Sequence, residues 1–262
     1  MARHEVDLLV IGSGAGAMTA AFTAADAGAD VLIVEKSARY GGTSATSGGG
    51  IWIPDSADAR AKGHADDPKE ALAYIKALIG DDVPASKLET YVASAHRMLS
   101  YLAERSEVQY TAYAYSDYHM DVAGSRDGWR THDPIPLMAD RLGEAFSDME
   151  PPHTETLTFG RFTWTMEEAK LLLTMSPGAK PLLFKLMLQY AFDLPWRFKT
   201  KRARRLTGGN ALIGRLKLSL DAKGVPIWLN SPMVDLIVGG QEKGGRITGA
   251  IVERDGQRIE VH

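Results

Sequence analysis

Two glycine-rich runs and one cluster of tyrosines carry the residue types and spacings that could do chemistry in this sequence. Gly12-Ser13-Gly14-Ala15-Gly16-Ala17 follows the spacing G-x-G-x-x-[GA], with Ala17 at the third position. The first glycine of such a turn permits a tight bend after a strand. The second lets backbone approach a pyrophosphate, and a small third residue lets helix and strand pack closely. Phosphates would then lie at a helix N-terminus, where unpaired N–H groups and the helix dipole favour negative charge. Glu35, about 20 residues on, is placed to accept hydrogen bonds from a ribose diol, and Lys36 follows it. The second run, Gly41-Gly42-Thr43-Ser44-Ala45-Thr46-Ser47-Gly48-Gly49-Gly50, leads directly into Ile51-Trp52. Backbone N–H groups and hydroxyls at that density can line a pyrophosphate and a flat ring with little side-chain obstruction. An NAD site would continue with another βα unit instead, so the run favours FAD. Tyr110, Tyr113, Tyr115 and Tyr118 fall within nine residues. Aromatic packing accounts for such a cluster, and a phenol beside a flavin could also take or support a proton.

Other chemistries are excluded by what the sequence lacks. Without cysteine there are no disulfides, thiolate zinc sites, iron–sulfur ligands or dithiol relay. The seven histidines show no HxxxH or HExxH spacing, so no metal site is expected. No P-loop or G-x-S-x-G elbow is present.

These residues need elements to hold them. An apolar, β-favouring run at 6–11 predicts a strand buried on both faces. A small-residue helix at 17–27 closes at Gly28, and a second strand at 31–34 ends at Glu35. Residues 66–105 turn helical, with Asp67-Pro68 as a start signal and a second amphipathic helix at 87–102. The stretch 110–129 reads as irregular. Helices are expected at 137–146, 167–174, 182–192 and 208–223, and a strand at 225–229. A β-meander follows at 233–261, turning at Gly239-Gly240, Gly244-Gly245 and Asp255-Gly256. A doubly wound α/β sheet needs more parallel strands than these, and the last strand stops at His262, so the chain reads as truncated at its C-terminus.

The 262 residues are 45% apolar and 24% charged, with net charge −3, as in an ordinary globular protein without a basic field for nucleic acid. The N-terminus lacks the long apolar stretch of a secretory signal, which predicts a cytoplasmic protein. The apolar segment 181–196 is too short and polar to span a bilayer. It runs into 197–205, where six of nine residues are basic. That run reads as a solvated face or as peripheral attachment to an anionic membrane.

Strand–GSGAGA–helix–Glu35 followed by GGTSATSGGGIWIP resembles the flavoproteins of the fumarate reductase and 3-ketosteroid dehydrogenase superfamily. The GGTSxxSGGGIWIP form is more similar to the ketosteroid Δ1-dehydrogenases than to the succinate dehydrogenases. DDPKEALAYI (66–75), SDYH (116–119), DRLGEAF (140–146), TGGNALIGRL (207–216) and WLNSP (228–232) extend the resemblance along the chain. It implies an α/β, glutathione-reductase-like, Rossmann-type FAD-binding domain. Its dinucleotide core would lie at about 1–60 and 206–262, with a mainly helical insertion at about 65–205. Gly42 stands where quinone-linked relatives carry the histidine that attaches flavin, which implies FAD held without a covalent bond. Gly12 to Ala17, Glu35, Lys36, Gly41 to Ser44 and Ser47 to Gly49 would hold that FAD. Met233 matches a position whose backbone contacts adenine. Tyr118 matches an active-site tyrosine that supports the base taking a proton from C2 of a 3-ketosteroid while hydride leaves C1. The base itself, and the substrate domain, would lie beyond residue 262, so the chain alone is expected to be inactive. Electrons would pass to an external acceptor. Two alternatives stay open, a fumarate-reductase-like enzyme on a small unsaturated acid and a non-catalytic binding module.

Overall fold

The structure, a computed structural model, describes residues 2–157, 161–239 and 245–262. It opens with β1 (Ala2–His4), β2 (Leu8–Ile11), α1 (Ala15–Asp26), β3 (Val31–Val34), α2 (Gly42–Thr46) and β4 (Ile51–Trp52). Helices α3 (Ala57–Ala61), α4 (Pro68–Ile79) and α5 (Ala85–Arg105) come next, then β5 (Tyr110–Ala112), β6 (Thr131–Pro134) and β7 (Leu137–Met138). A 3-10 helix (Ala139–Phe146) leads to α6 (Met166–Leu173), α7 (Ala179–Phe192) and α8 (Leu194–Lys199). The chain closes with β8 (Arg205–Leu206), α9 (Gly208–Ala222), β9 (Ile227–Trp228), β10 (Met233–Gly239), β11 (Arg246–Arg254) and β12 (Gln257–Val261).

A parallel sheet of order β2-β3-β9 carries the dinucleotide turn. β3 is VLIV and buried throughout, as expected of a strand covered on both faces. β2 departs from that expectation. It is an edge strand, and its Leu8 and Ile11 are 36% and 49% exposed. Met18 and Phe22 of α1, Ile33 of β3 and Ile213, Leu216 and Leu220 of α9 share one apolar core. Each such side chain stabilises the fold by about 1.5–3 kcal/mol when fully buried. Leu102 of α5, Leu137 of β7 and Phe146 join the same core, so the helical stretch is packed onto the sheet layer.

The meander is present and gains a strand the sequence reading lacked. β1 pairs in parallel with β12, giving the order β1-β12-β11-β10. Three residues, ARH, are too short and too polar to show strand periodicity. Asp255 and Gly256 both have positive φ, the two-residue turn that matches strand twist. Gly240 and Gly244, in the other two expected turns, lie outside the described residues. The expected helix at 137–146 is β7 followed by a 3-10 helix kinked at Gly143, and the glycine loop contains the short helix α2.

Candidate functional site

The dinucleotide turn sits where β2 meets α1. Gly12 has φ +93, a conformation that β-carbon-bearing residues avoid, and its N–H donates to the Val34 carbonyl at 2.8 Å. The N-cap residue Gly14 offers α1 no side-chain acceptor, which leaves first-turn N–H groups for an anion. Ser44 Oγ is brought there from α2 and takes the Ala15 N–H at 3.0 Å. Ser13 is buried and ties the two glycine runs together. Its N–H and hydroxyl donate to Glu35 Oε2 at 3.0 and 2.6 Å, and its oxygen accepts the Gly41 N–H at 3.0 Å. Ser37 N–H donates to the other Glu35 oxygen at 2.9 Å. Burial pushes the Glu35 carboxyl up, but these donors outweigh it and hold its pKa below the usual value. Glu35 is therefore an ionised acceptor at neutral pH, as ribose recognition requires. Lys36 beside it is exposed.

Glycines in this region divide into two groups. A β-carbon at Gly49 would come within 2.6 Å of Gly208 and Gly209 backbone, because α9 begins against the glycine loop. Gly209 N–H donates to the Ser47 carbonyl at 3.0 Å, and Asn210 Nδ2 donates to the Ala45 carbonyl at 2.7 Å. By contrast, a β-carbon at Gly12, Gly16, Gly42 or Gly48 would meet nothing within 4 Å. These glycines stand at the β2–α1 turn and at the two ends of α2. A pyrophosphate and ribose need such room, so the residues present fit FAD. Thr43 is exposed on α2. Met233 opens β10 two residues after Ser231, whose N–H donates to the Glu35 carbonyl at 2.8 Å. The Gly208-Gly209-Asn210 support was not assigned from sequence; paired glycines at a helix start were its signal.

A cavity of about 680 Å³ joins the glycine loop to the tyrosine segment. Ser47 to Gly50 form one end and Tyr113, Tyr115, Tyr118 and His119 another, with Ile51, Trp52, Ile75, Leu78 and Met166 as apolar walls. Among the described residues, no arginine or lysine lines it. Tyr118 is 84% exposed and meets Tyr115 edge-on at 6.0 Å. Tyr110 instead supports the loop, its hydroxyl donating to the Gly49 carbonyl at 3.0 Å. Tyr113 is buried, and burial followed by nearby Asp133 pushes its phenol up.

The loop bearing Tyr118 is held by an ionic knot that sequence reasoning did not identify. Arg130 is 1% exposed. It donates to both Asp66 oxygens at 2.7 and 3.0 Å, to Asp117 Oδ2 at 2.8 Å and to the Gly124 carbonyl at 2.7 Å. Asp117 also accepts Trp52 Nε1 at 2.7 Å, so Tyr118's own neighbour is pinned to the cavity wall. Beside it, buried His132 rests between the Arg130 carbonyl and Ser56 Oγ at 2.9 and 2.6 Å. Burial lowers its pKa, and the carbonyl fixes the proton on Nδ1. No group of three or more metal-ligating side chains occurs among the described residues.

Asp133 yields a prediction. Its Oδ2 accepts the Met166 N–H at 2.8 Å, while Oδ1 is buried with no hydrogen-bond partner among the described residues. Burial raises its pKa to about 6. Between its ordinary value and 6 the folded chain binds a proton that the unfolded chain has lost, so this group's contribution to stability falls as pH rises through that window. Asp133→Asn is expected to stabilise the chain by about 1–2 kcal/mol at pH 8, with the gain vanishing near pH 4. Urea denaturation at both pH values measures it, and a gain independent of pH refutes it.

Comparison with known proteins agrees with this geometry. The chain is 40% identical over its whole length to 3-oxosteroid 1-dehydrogenase of Comamonas testosteroni, of which it spans 45%. It is 34% identical over 96% of its length to 3-oxosteroid 1-dehydrogenase of Mycolicibacterium smegmatis, spanning 43% of that protein. The crystal structure of 3-ketosteroid delta1-dehydrogenase from Sterolibacterium denitrificans, in complex with 1,4-androstadiene-3,17-dione, superposes with a TM-score of 0.92 at 39% identity. The match covers 98% of this chain and 46% of that one. The chain thus spans less than half the length of these relatives. The FAD binding domain family matches over residues 7–262, and with its phosphate turn, acidic residue and second glycine run in place, the chain belongs to that family.

Proposed function

We propose that this chain serves 1,2-desaturation of a 3-ketosteroid or a similar flat, apolar ketone. The observation that carries the reading is the tyrosine cavity, which is rich in aromatic and apolar side chains, abuts the glycine loop and has no arginine or lysine among the described residues that line it. A small dicarboxylate, as in the fumarate-reductase-like alternative, would need arginine or histidine clamps, and among the described lining residues His119 alone is of that kind. The names of the relatives above support the same substrate class.

Bound FAD, held without a covalent bond, would supply the acceptor for hydride. Gly12 to Ala17 and Ser44 would take its pyrophosphate, Glu35 a ribose, Met233 backbone the adenine, and Gly41 to Gly49 the region nearer the ring. Tyr118 would support removal of the C2 proton from the cavity mouth. Trp52, Ile75 and Leu78 form one apolar wall. The dinucleotide core at about 1–60 and 206–262, with a helical insertion at about 65–205, belongs to this reading. Its support is that β2, β3 and β9 all fall in the two core stretches. Electrons would leave to an external acceptor, since the chain has no cysteine for a relay.

The test is 3-ketosteroid-dependent reduction of an artificial acceptor by FAD-loaded protein, with residues 1–262 alone expected to show no steady turnover. In the active protein Tyr118→Phe should lower kcat about 10–100-fold with little change in KM. Fumarate-dependent oxidation without steroid turnover would replace the reading. A folded complete protein that binds no FAD and shows neither activity would favour a binding module.

A cytoplasmic protein with peripheral membrane contact completes the proposal. No described helix is long and apolar enough to cross a membrane. Phe184, Met187, Phe192 and Phe198 are exposed on α7 and α8 close in sequence to Lys180, Lys185 and Lys199. Sedimentation with anionic but not zwitterionic vesicles, abolished by high salt, is the expected result.

A further inference from the structure

We infer that a second cavity, between α7, α8 and the 201–205 segment, binds an amphipathic anion: an apolar body carrying one carboxylate or similar head group. This cavity, of about 330 Å³, shares no lining residue with the tyrosine cavity and lies at the lower end of the range for ligand sites, roughly 300–1,000 Å³. Its walls include Phe162, Leu186, Phe192 and Trp196, which suit an alkyl or fused-ring body.

The charge lining it is unbalanced. Arg161, Arg197, Lys201 and Arg202 all line the cavity, and among the described residues none forms an ion pair with a carboxylate. Among the described lining residues Asp193 is the one acid, and it is already paired with Arg204 at 3.1 Å. Arg197 and Arg202 each bury an Nε–H that has no acceptor among the described residues. Buried donors are normally satisfied, so both guanidiniums stand in the cavity wall with their charge and hydrogen-bonding capacity under-compensated. Arg202 is fixed for the purpose, donating to the Phe146 and Met149 carbonyls at 2.8 and 2.9 Å with its guanidinium 4.1 Å from the Phe146 ring centroid. Arg197 lies 4.2 Å from the Tyr190 ring centroid and Arg161 6.0 Å from it, so two guanidiniums converge on one aromatic. Burial pulls the Arg202 pKa down to about 10, still leaving it a cation at neutral pH.

Such an anion could arrive free in water or as a lipid head group, and the experiment separates the two. Calorimetric titration with decanoate below its micellar concentration is expected to give saturable binding of one molecule per chain, with Trp196 reporting through its emission. Decanol should bind at least tenfold more weakly. Arg197→Gln should weaken decanoate about tenfold and leave decanol unchanged, and Lys201→Gln, at an exposed position, should act in the same direction without risk to folding. Binding of monomeric decanoate without binding to phosphatidylglycerol vesicles assigns the free acid. Vesicle binding that both substitutions weaken assigns a lipid head group. Equal affinity for decanol and decanoate, no effect of either substitution, or no saturation into the millimolar range overturns the inference.

Discussion

Arg130→Met should destabilise the chain by about 3–5 kcal/mol, the cost of breaking a buried ion pair by removing one partner. Methionine fills much of the arginine's volume, so the loss is one of charge and hydrogen bonds rather than of packing. Burial pulls the Arg130 guanidinium pKa down, yet Asp66 and Asp117 raise it above its ordinary value. The same pairing holds Asp66 below its own usual value against burial. Without Arg130, Asp66 keeps Arg126 at 3.0 Å, while Asp117 keeps only neutral donors, Trp52 Nε1 and the Arg126 N–H. Both carboxylates are nearly inaccessible. Urea denaturation at pH 7.5 measures the loss, and Arg60→Met supplies the contrast. Arg60 pairs with Asp55 at 2.8 Å on a partly exposed surface, so its removal should cost under about 1 kcal/mol. Adding Asp66→Asn and Asp117→Asn to Arg130→Met should recover part of the loss, because no buried charge then lacks a partner. If Arg130→Met costs no more than Arg60→Met, the knot does not hold the Tyr118 loop.

What could be read from the sequence, and what could not, follows from the range of the interactions concerned. The phosphate turn was legible because its constraint is local: Gly12 must adopt positive φ, and a strand, a helix and Glu35 follow within one βαβ unit. Helices α4 and α5 were legible for the same reason, with the Asp67 side chain capping α4 by accepting the Lys69 N–H. The burial of β2 was not legible, because whether Leu8 and Ile11 meet a neighbour depends on strands that pair across the sheet. Arg130 was not legible either. Its partners Asp66 and Asp117 stand 64 and 13 residues away, and nothing in RDGWRTHD marks one arginine as buried and another as exposed. The Tyr110, Tyr113, Tyr115 and Tyr118 cluster was visible as a composition, but its division of labour required the fold. Strand β5 sends Tyr110 to the Gly49 carbonyl, and the loop after it leaves Tyr118 at the cavity.

Gly14 and Gly209 should separate cofactor binding from folding. At Gly14 the backbone is extended, with φ −70 and ψ 171, which any residue adopts, and an added β-carbon would meet only Ser44 Oγ, at an ordinary 3.4 Å. Gly14→Val should therefore leave apo-protein stability within about 1 kcal/mol of the parent. Its branched side chain would stand at the end of α1, where the pyrophosphate must approach backbone N–H groups. FAD affinity is expected to fall about 100–1,000-fold, equivalent to roughly 3–4 kcal/mol. Gly209 is the opposite case, since a β-carbon there would overlap the Ser44 carbonyl oxygen and crowd the Ser47 carbonyl at 2.8 Å. Backbone, not a flexible side chain, stands in the way, so Gly209→Ala must push α9 off the glycine loop or fail to fold. Its thermal midpoint should drop before any FAD is added. Flavin fluorescence titration and thermal denaturation of both variants decide the matter. Should Gly14→Val bind FAD as the parent does, the phosphates do not sit at the α1 N-terminus. Should Gly209→Ala fold normally while losing FAD, the α9 glycines serve the ligand rather than the loop that holds it.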